Sequence, residues 1–453
     1  MKYDVIIIGA GPGGYHAANL LGEKGKRVLV VEKNKLGGVC LNIGCIPTKA
    51  LISISDKIRL LKKNEITGVN TDNSFQIDKS AINDKVLEAT NLNCKAIEYL
   101  FKKNSVECVY GEASFVDKNT IMVNGVNYNA KKIVIATGSR NREYTTFSGG
   151  NTLDKVITST EALFLDNIPK SIIIIGGGAI GVEFAYIFNN LGSDVTILEY
   201  FSHLLPNMDS ECGKTIERTF KKDGIKVVTD AKLLKIGFDE TNFVVYNRKE
   251  KEEKIASEFV LVAMGRTPNT DINGIEKLNL NYEKNYIKVD SNFKTNIENI
   301  YAIGDVVYGK PLLAHTAYYE AELMVNHILN NTNNKPDYGF VPFCIYSEPQ
   351  VAGFGITEEQ AKEKNLKFKV LKSFFKASGK AIAIGKTDGF VKIIVDGETN
   401  TILGASIVGE NATEIIHTLL PVARLKLPIK SITETIFAHP TLVELIKDTC
   451  SNF

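Results

Sequence analysis

Residues 4–14 read DVIIIGAGPGG, and residues 171–181 read SIIIIGGGAIG. Each is a run of mostly β-branched residues that ends at a glycine: Gly9, Gly11 and Gly14 punctuate the first copy, Gly176, Gly178 and Gly181 the second. An apolar run bounded by glycine predicts a strand buried on both faces. The first glycine allows a tight turn, the second lets a pyrophosphate approach the backbone, and the third permits close strand–helix packing. The helix that follows, through Leu21 in one copy and Leu191 in the other, turns its N-terminus toward the phosphates. A second strand comes next, RVLVV at 27–31 and DVTIL at 194–198, and each leads to an acid, Glu32 or Glu199. The separation from first glycine to acid is the same in both copies. Such a carboxylate can accept both hydroxyls of a ribose. One glycine motif is a weak signal, but two in the same frame predict an α/β fold with two Rossmann-like dinucleotide-binding domains.

Outward from these copies the pattern is less regular. Residues 50–108 predict amphipathic helices, and 109–137 short strands and turns. KIVIATGS at 132–139, which carries Gly138, reads as a central strand rejoining the first sheet. After the second copy, alternating strands run to about residue 263. IYAIGDV at 300–306 reads as another buried strand, ending in Gly304 and Asp305, where a carboxylate could meet a cofactor hydroxyl. The polar stretch NNTNNKPDYG, 330–339, marks a boundary. Beyond it, strands such as GFVKIIVD alternate with helices such as NATEIIHTLLPVARL, an α+β pattern.

The 453 residues are 44% apolar and 23% charged, with a net charge of +2. That balance is ordinary for a globular chain and gives no electrostatic case for nucleic acid or a membrane surface. No run approaches the length of a membrane span, and the N-terminal apolar stretch is too short for a signal peptide. Five of the seven cysteines, Cys94, Cys108, Cys212, Cys344 and Cys450, are scattered without metal-like spacing. No metal is expected, and the location expected is the cytoplasm.

The other two cysteines, Cys40 and Cys45, stand in GGVCLNIGCIPTK just after the first dinucleotide motif. On a regular helix their Cα atoms would lie roughly 8–9 Å apart, and a disulfide needs less than about 7 Å. A bond between them therefore requires a distorted turn, which Gly44 permits. A strained disulfide is easily reduced and suits catalysis better than structure. Two dinucleotide sites and one redox-spaced thiol pair imply a nicotinamide cofactor and, beside the thiols, a flavin able to exchange electrons with both. Glu199 favours NAD over NADP, since a carboxylate repels a 2′-phosphate. Lys49, one helical turn beyond Cys45, is placed to lower a thiolate pKa or tune the flavin. Dithiol chemistry also needs a base. His439 in FAHPTLVEL is the candidate, with Glu444 to fix its tautomer. His315, with Ala314 at an expected helix start in LLAHTAYYEAE, is a candidate flavin contact.

GxGxxG at 9–14, GGVCLNIGCIPTKAL at 37–51, GGGAIGVEFA at 176–185, GRTPNT at 265–270, YAIGD at 301–305, YSEPQVAGFGITEEQA at 346–361 and FAHPTLVE at 437–444 complete the pattern. Together they resemble the dihydrolipoamide dehydrogenases, class I pyridine nucleotide–disulfide oxidoreductases, over essentially the whole chain. The resemblance implies an FAD-binding domain at 1–142, an NAD-binding domain at 143–263, a segment at 264–333 completing the FAD site, and a C-terminal dimerisation domain at 334–453. It implies FAD and NAD as cofactors, a homodimer, and a lipoyl-bearing protein of a 2-oxoacid dehydrogenase or glycine cleavage system as partner. Cys40 would meet the substrate dithiol and Cys45 would lie against the flavin. Lys49 and Glu183 would pair near the flavin's reactive edge, Glu32 would hold the adenosine ribose and Asp305 the ribityl chain. Gly138, Gly265, Ala314 and His315 join the cofactor contacts. His439, oriented by Glu444, would act as base on the cysteines of the second subunit.

Three departures accompany the resemblance. The chain opens directly at the FAD motif, without a leading lipoyl domain. KASGKAIAIG at 376–385 differs from the ANSRAK segment of typical members, and the C-terminal DTCSNF holds a single cysteine. The alternatives are another NAD(P)H-dependent flavoprotein disulfide reductase, or an NADH oxidase or diaphorase.

Overall fold

The structure is a computed structural model, and it describes residues 2–453 except 64, 65, 67, 70–74, 145, 146, 149–154 and 334. Asn334 of the polar linker thus lies outside the described residues. The chain forms two compact units: residues 1–50, 80–143 and 265–338 make the first, and 51–79, 144–264 and 339–453 the second.

In the first unit, strand β1 (Lys2–Ile8) leads through the glycine turn into helix α1 (Pro12–Glu23) and strand β2 (Val28–Glu32). Helices α2 (Gly38–Ile43), α3 (Cys45–Lys62, counted with the second unit from residue 51) and α4 (Lys79–Lys103) follow, then strands β3 (Glu107–Tyr110), β4 (Ser114–Asp117), β5 (Thr120–Val123) and β6 (Val126–Ile135). The sheet runs β3-β2-β1-β6-β5-β4. Pairing of β1 with β2 and with β6 is parallel, with Ile7 opposite both Val30 and Val134. This burial on both faces explains the unbroken apolar run: Ile6 and Ile7 are fully buried, each contributing about 1.5–3 kcal/mol. The strand Ile300–Ala302 pairs in parallel with the C-terminal half of β6. A short 3₁₀ turn, Gly304–Val306, ends it at Asp305. The helix Ala314–Asn330 packs along α1.

The second unit repeats the motif. Strands Lys226–Val228, Asp194–Leu198, Ser171–Ile175, Phe259–Val262 and Val156–Ile157 form a parallel sheet in that order. The helix Ala179–Leu191 follows the second glycine turn. The C-terminal portion carries an antiparallel sheet ordered Phe343–Ile345, Gln350–Gly355, Ile402–Gly409, Phe390–Asp396, Phe368–Phe374. Its apolar face buries Phe375, Ile393 and Ile407 with Leu445 and Ile446 of the last helix, Glu444–Ser451.

One described helical stretch, 38–62, is long and apolar enough by composition to cross a bilayer, although no unbroken apolar run predicted it. It is two helices meeting at Gly44, and buried helices of folded domains share its length and composition.

Candidate active site

The break between α2 and α3 is what the two cysteines require. Helix α2 ends at Gly44, whose φ of −147° and ψ of −112° leave the helical region, and α3 restarts at Cys45. A Cβ at Gly44 would stand 2.8 Å from the Val39 carbonyl, so only glycine lets the chain fold this tightly. Cys45 is exposed and Cys40 half-buried. The Cys45 hydrogen bond, burial and the charge of Cys45 push the Cys40 thiol well above its ordinary range, while the Lys49 cation pulls it down. Lys49 thus acts electrostatically on the pair from one turn along α3.

The two acids share a role that spacing did not reveal. Glu32 is buried, and its oxygens accept from the amides of Ala10 and Asn34, both at 2.8 Å. Glu199 is buried likewise and accepts from Gly177 at 2.5 Å and Phe201 at 2.8 Å. Each acid ties the glycine turn of its own motif to the residue two beyond itself. A carboxylate offers about four acceptor positions, so half remain for two ribose hydroxyls.

The cradles suit diphosphates. Helix α1 begins at Gly11 and the helix Ala179–Leu191 at Gly178. Neither has a side-chain cap or an acid in its first turn. The first-turn amides are therefore available to an anion. A Cβ at Gly11 or Gly178 would meet nothing within 4 Å, whereas one at Gly14 would collide with the Gly9 carbonyl and one at Gly181 with that of Gly176. A cleft at the carboxyl ends of β1 and β2 is lined by Gly9, Glu32, Lys33, Gly111 and Thr137, where an open α/β sheet binds its ligand. The donor set fits a dinucleotide at each motif, and the cleft gives it space at the first.

Asp305 is set by residues that sequence reading passed over. Ser139 Oγ donates to its carboxylate at 2.6 Å, and Arg266 Nε donates to Ser139 Oγ at 2.7 Å. Burial raises the Asp305 carboxyl, opposed by the Ser139 hydrogen bond and the Arg266 charge. Ser139 and Arg266 each follow a singled-out glycine, Gly138 and Gly265. Their short strands, Ser139–Asn141 and Arg266–Pro268, pair antiparallel. Arg266 within GRTPNT was the available signal. Ala314 opens its helix without a side-chain cap, and His315 is exposed beside it.

In the second unit, Glu183 is buried and accepts from the Tyr346 amide at 3.1 Å. His439 is 80% exposed, with Nδ1 at 3.0 Å from Glu444 Oε1. A carboxylate only accepts, so Nδ1 is the donor in this contact and Nε2 is the nitrogen not engaged by Glu444. Among the described residues, no group of three or more His, Cys, Asp or Glu could hold a metal ion.

Residues 3–321 match the pyridine nucleotide-disulphide oxidoreductase family, and 341–450 match its dimerisation domain. Dihydrolipoyl dehydrogenase of Geobacillus stearothermophilus is 39% identical, covering 98% of this chain and 95% of that protein. That of Mycoplasma pneumoniae is 36% identical over 99% and 98%. Among solved structures, the Cu(II) complex of the HOCl-induced flavoprotein disulfide reductase RclA from Escherichia coli superposes with a TM-score of 0.89. It is 28% identical, covering 100% of this chain and 99% of that one.

Proposed function

The chain belongs to the pyridine nucleotide-disulphide oxidoreductase family, and we propose that within it the protein works as a dihydrolipoyl dehydrogenase. It oxidises dihydrolipoyl groups to lipoyl groups through an active-site disulfide and FAD, with reduction of NAD+ to NADH. The observation that carries this reading is kinship with dihydrolipoyl dehydrogenases over nearly the whole chain.

FAD when bound would supply a two-electron acceptor for the Cys40–Cys45 pair, and NAD+ the final hydride acceptor. The glycine turn at Gly9, Gly11 and Gly14, with Glu32 and Asp305, would hold FAD. The turn at Gly176, Gly178 and Gly181, with Glu199, would hold NAD. Lys49 and Glu183 are assigned as a pair near the flavin's reactive edge, with Gly138, Gly265, Ala314 and His315 as further cofactor contacts.

The thiol exchange balances on residues of this chain. His439 Nε2 takes the proton of one substrate thiol, and the thiolate attacks Cys40 Sγ of the oxidised pair. The Cys40–Cys45 bond breaks and Cys45 leaves as a thiolate. The second substrate thiol then displaces Cys40, closing the lipoyl disulfide and leaving both cysteines reduced. The dimerisation domain supports a homodimer. In it His439 of one copy serves the cysteines of the second, and a lipoyl-bearing protein of a 2-oxoacid dehydrogenase or glycine cleavage system delivers the substrate. We infer a cytoplasmic location, because a disulfide reduced in every turnover suits a reducing compartment.

The test is NAD+ reduction by dihydrolipoamide set against NADPH-driven reduction of glutathione disulfide. Activity in the second assay alone overturns the reading. Cys45→Ser should abolish dithiol turnover yet keep some flavin-mediated dye reduction.

A further inference from the structure

We propose that Asn42 is a positioning residue for the active-site thiols, held in its turn by Cys94, and that its amide sets how readily Cys40 and Cys45 close into a disulfide. This rests on the reading of those two cysteines as the redox pair.

Helix α2 carries Cys40 and has little of its own to hold it. It spans six residues, starts at Gly37 without a side-chain cap and stops at Gly44. A helix this short makes few internal hydrogen bonds, so its place depends on outside ties. At its start, Gly37 N donates to the Ala10 carbonyl at 2.8 Å. Gly37 and Gly38 both hold positive φ, 94° and 59°, and a Cβ on Gly38 would lie 2.7 Å from the Gly11 Cα. At its far end Leu41 is buried in the core of the first sheet, and Asn42 reaches back. Asn42 Nδ2 donates to the carbonyls of Leu36 and Gly38, both at 2.9 Å. One amide group, placed between Cys40 and Gly44, thus closes the tight turn at 36–38 onto the helix.

The remaining atom of that amide meets α4. Cys94 Sγ lies 3.3 Å from Asn42 Oδ1 and 3.2 Å from the Leu36 carbonyl. Only the nitrogen end of an amide can donate to two carbonyls, so the oxygen end faces the thiol, which is able to donate. Burial raises the Cys94 thiol above its ordinary range, against the Lys35 charge, so it keeps its proton near neutral pH. Cys94, Asn42, Leu36 and Gly38 all belong to the first unit. Asn42 shares a helical turn with Cys40, so whatever holds its amide also holds the Cys40 backbone. Cys45 begins α3 beyond the Gly44 break and hydrogen-bonds Cys40 across it. Keeping α2 in register raises the effective concentration of one thiol for the other, which favours the disulfide. Lys49 acts on the charge of the pair, and Asn42 acts on its geometry.

The test is the Cys40–Cys45 thiol–disulfide equilibrium of the holoenzyme, poised in buffers of reduced and oxidised dithiothreitol and read by alkylation and mass spectrometry. Asn42→Leu keeps the side-chain volume and removes the amide's bonds to Leu36, Gly38 and Cys94. The expected result is an equilibrium constant for disulfide formation about tenfold smaller, a midpoint about 30 mV less negative, with flavin content near wild type. Cys94→Ala should move the midpoint in the same direction. Cys94→Ser, whose hydroxyl donates to the same oxygen, should return it to wild type. A folded Asn42→Leu variant with the wild-type midpoint overturns the proposal and leaves the amide as a local tie. If that variant fails to fold, the two Cys94 variants carry the test, and coincident midpoints overturn it. Wild-type protein that forms no Cys40–Cys45 disulfide in any of these buffers sinks the redox reading instead. A reversible wild-type couple beside unmoved variants sinks the role of Asn42 alone.

Discussion

His439 Nδ1 lies 3.0 Å from Oε1 of Glu444, whose other oxygen accepts from the Thr441 amide at 2.8 Å. The carboxylate is thus pinned at the start of the last helix before it meets the imidazole. The Thr441 amide first, then His439, hold its carboxyl below the usual range, so it stays ionised throughout the range in which a histidine titrates. Glu444→Gln replaces this acceptor with a group that can donate to Nδ1 and stabilise the wrong tautomer. The expected outcome is a fall of about 10²-fold in kcat for dihydrolipoamide oxidation, with FAD content unchanged. A variant within a factor of two of wild type would remove Glu444 from the base assembly.

Gly44 is tested by adding one methyl group. In Gly44→Ala the new Cβ must displace the Val39 carbonyl, the turn that lets Cys45 approach Cys40. A cost of about 1–3 kcal/mol is expected, read as a lower denaturation midpoint. Reoxidation of the reduced thiol pair should slow as well, followed by thiol titration after dilution out of reductant. Unchanged reoxidation would show that the helix break is not needed for the thiols to meet.

Glu199 has two roles that one substitution exposes together. Its carboxylate fastens Gly177 and Phe201, and its proposed second role is to favour NAD by charge. Glu199→Gln should therefore raise KM for NAD+ about tenfold or more, since a buried charge-assisted hydrogen bond is worth about 1.5–3 kcal/mol. It should not convert the enzyme to efficient NADP+ use, because the loosened turn serves both nucleotides. Steady-state kcat/KM with each nucleotide decides it; a clean switch to NADP+ would show charge acting alone.

Glu320 gives a pH prediction. It is fully buried on the helix Ala314–Asn330, accepting from Gly304 N at 2.6 Å and Tyr338 Oη at 2.8 Å beneath the turn that presents Asp305. Burial pushes its carboxyl from 4.5 up to about 7, against those hydrogen bonds and the Lys310 charge. Between those two values the folded chain keeps this proton and the unfolded chain has released it. Its contribution to stability therefore falls as pH rises through that window and levels off above about 7, a change of about 3 kcal/mol. Glu320→Gln should lack that slope when denaturation free energies at pH 5 and pH 8 are compared with wild type. Identical pH dependence in both proteins would refute it.

The two glycine motifs, their acids and the thiol pair were legible because each is a local device. A strand–turn–helix that receives a phosphate needs its glycines within a few residues of one another, and a distorted turn between two cysteines needs its glycine beside them. The equal spacing of Glu32 and Glu199 from their turns located both acids, and the buried runs at 4–8 and 171–175 located both sheets. Long-range partnership was beyond that reading. Ser139 and Arg266 meet Asp305 only because the strand Ile300–Ala302 joins β6. Glu320 reaches Gly304, and Tyr318 reaches Tyr15, only because one helix folds back along its neighbours. No period or motif records such pairs, since they depend on sheet order and helix packing and not on spacing along the chain. The sequence by itself determined the class of chemistry and supplied the residues proposed to perform it. The tertiary structure decided which buried groups hold those residues in place and how their charges are set, because desolvation and hydrogen bonding are properties of neighbours brought together by folding.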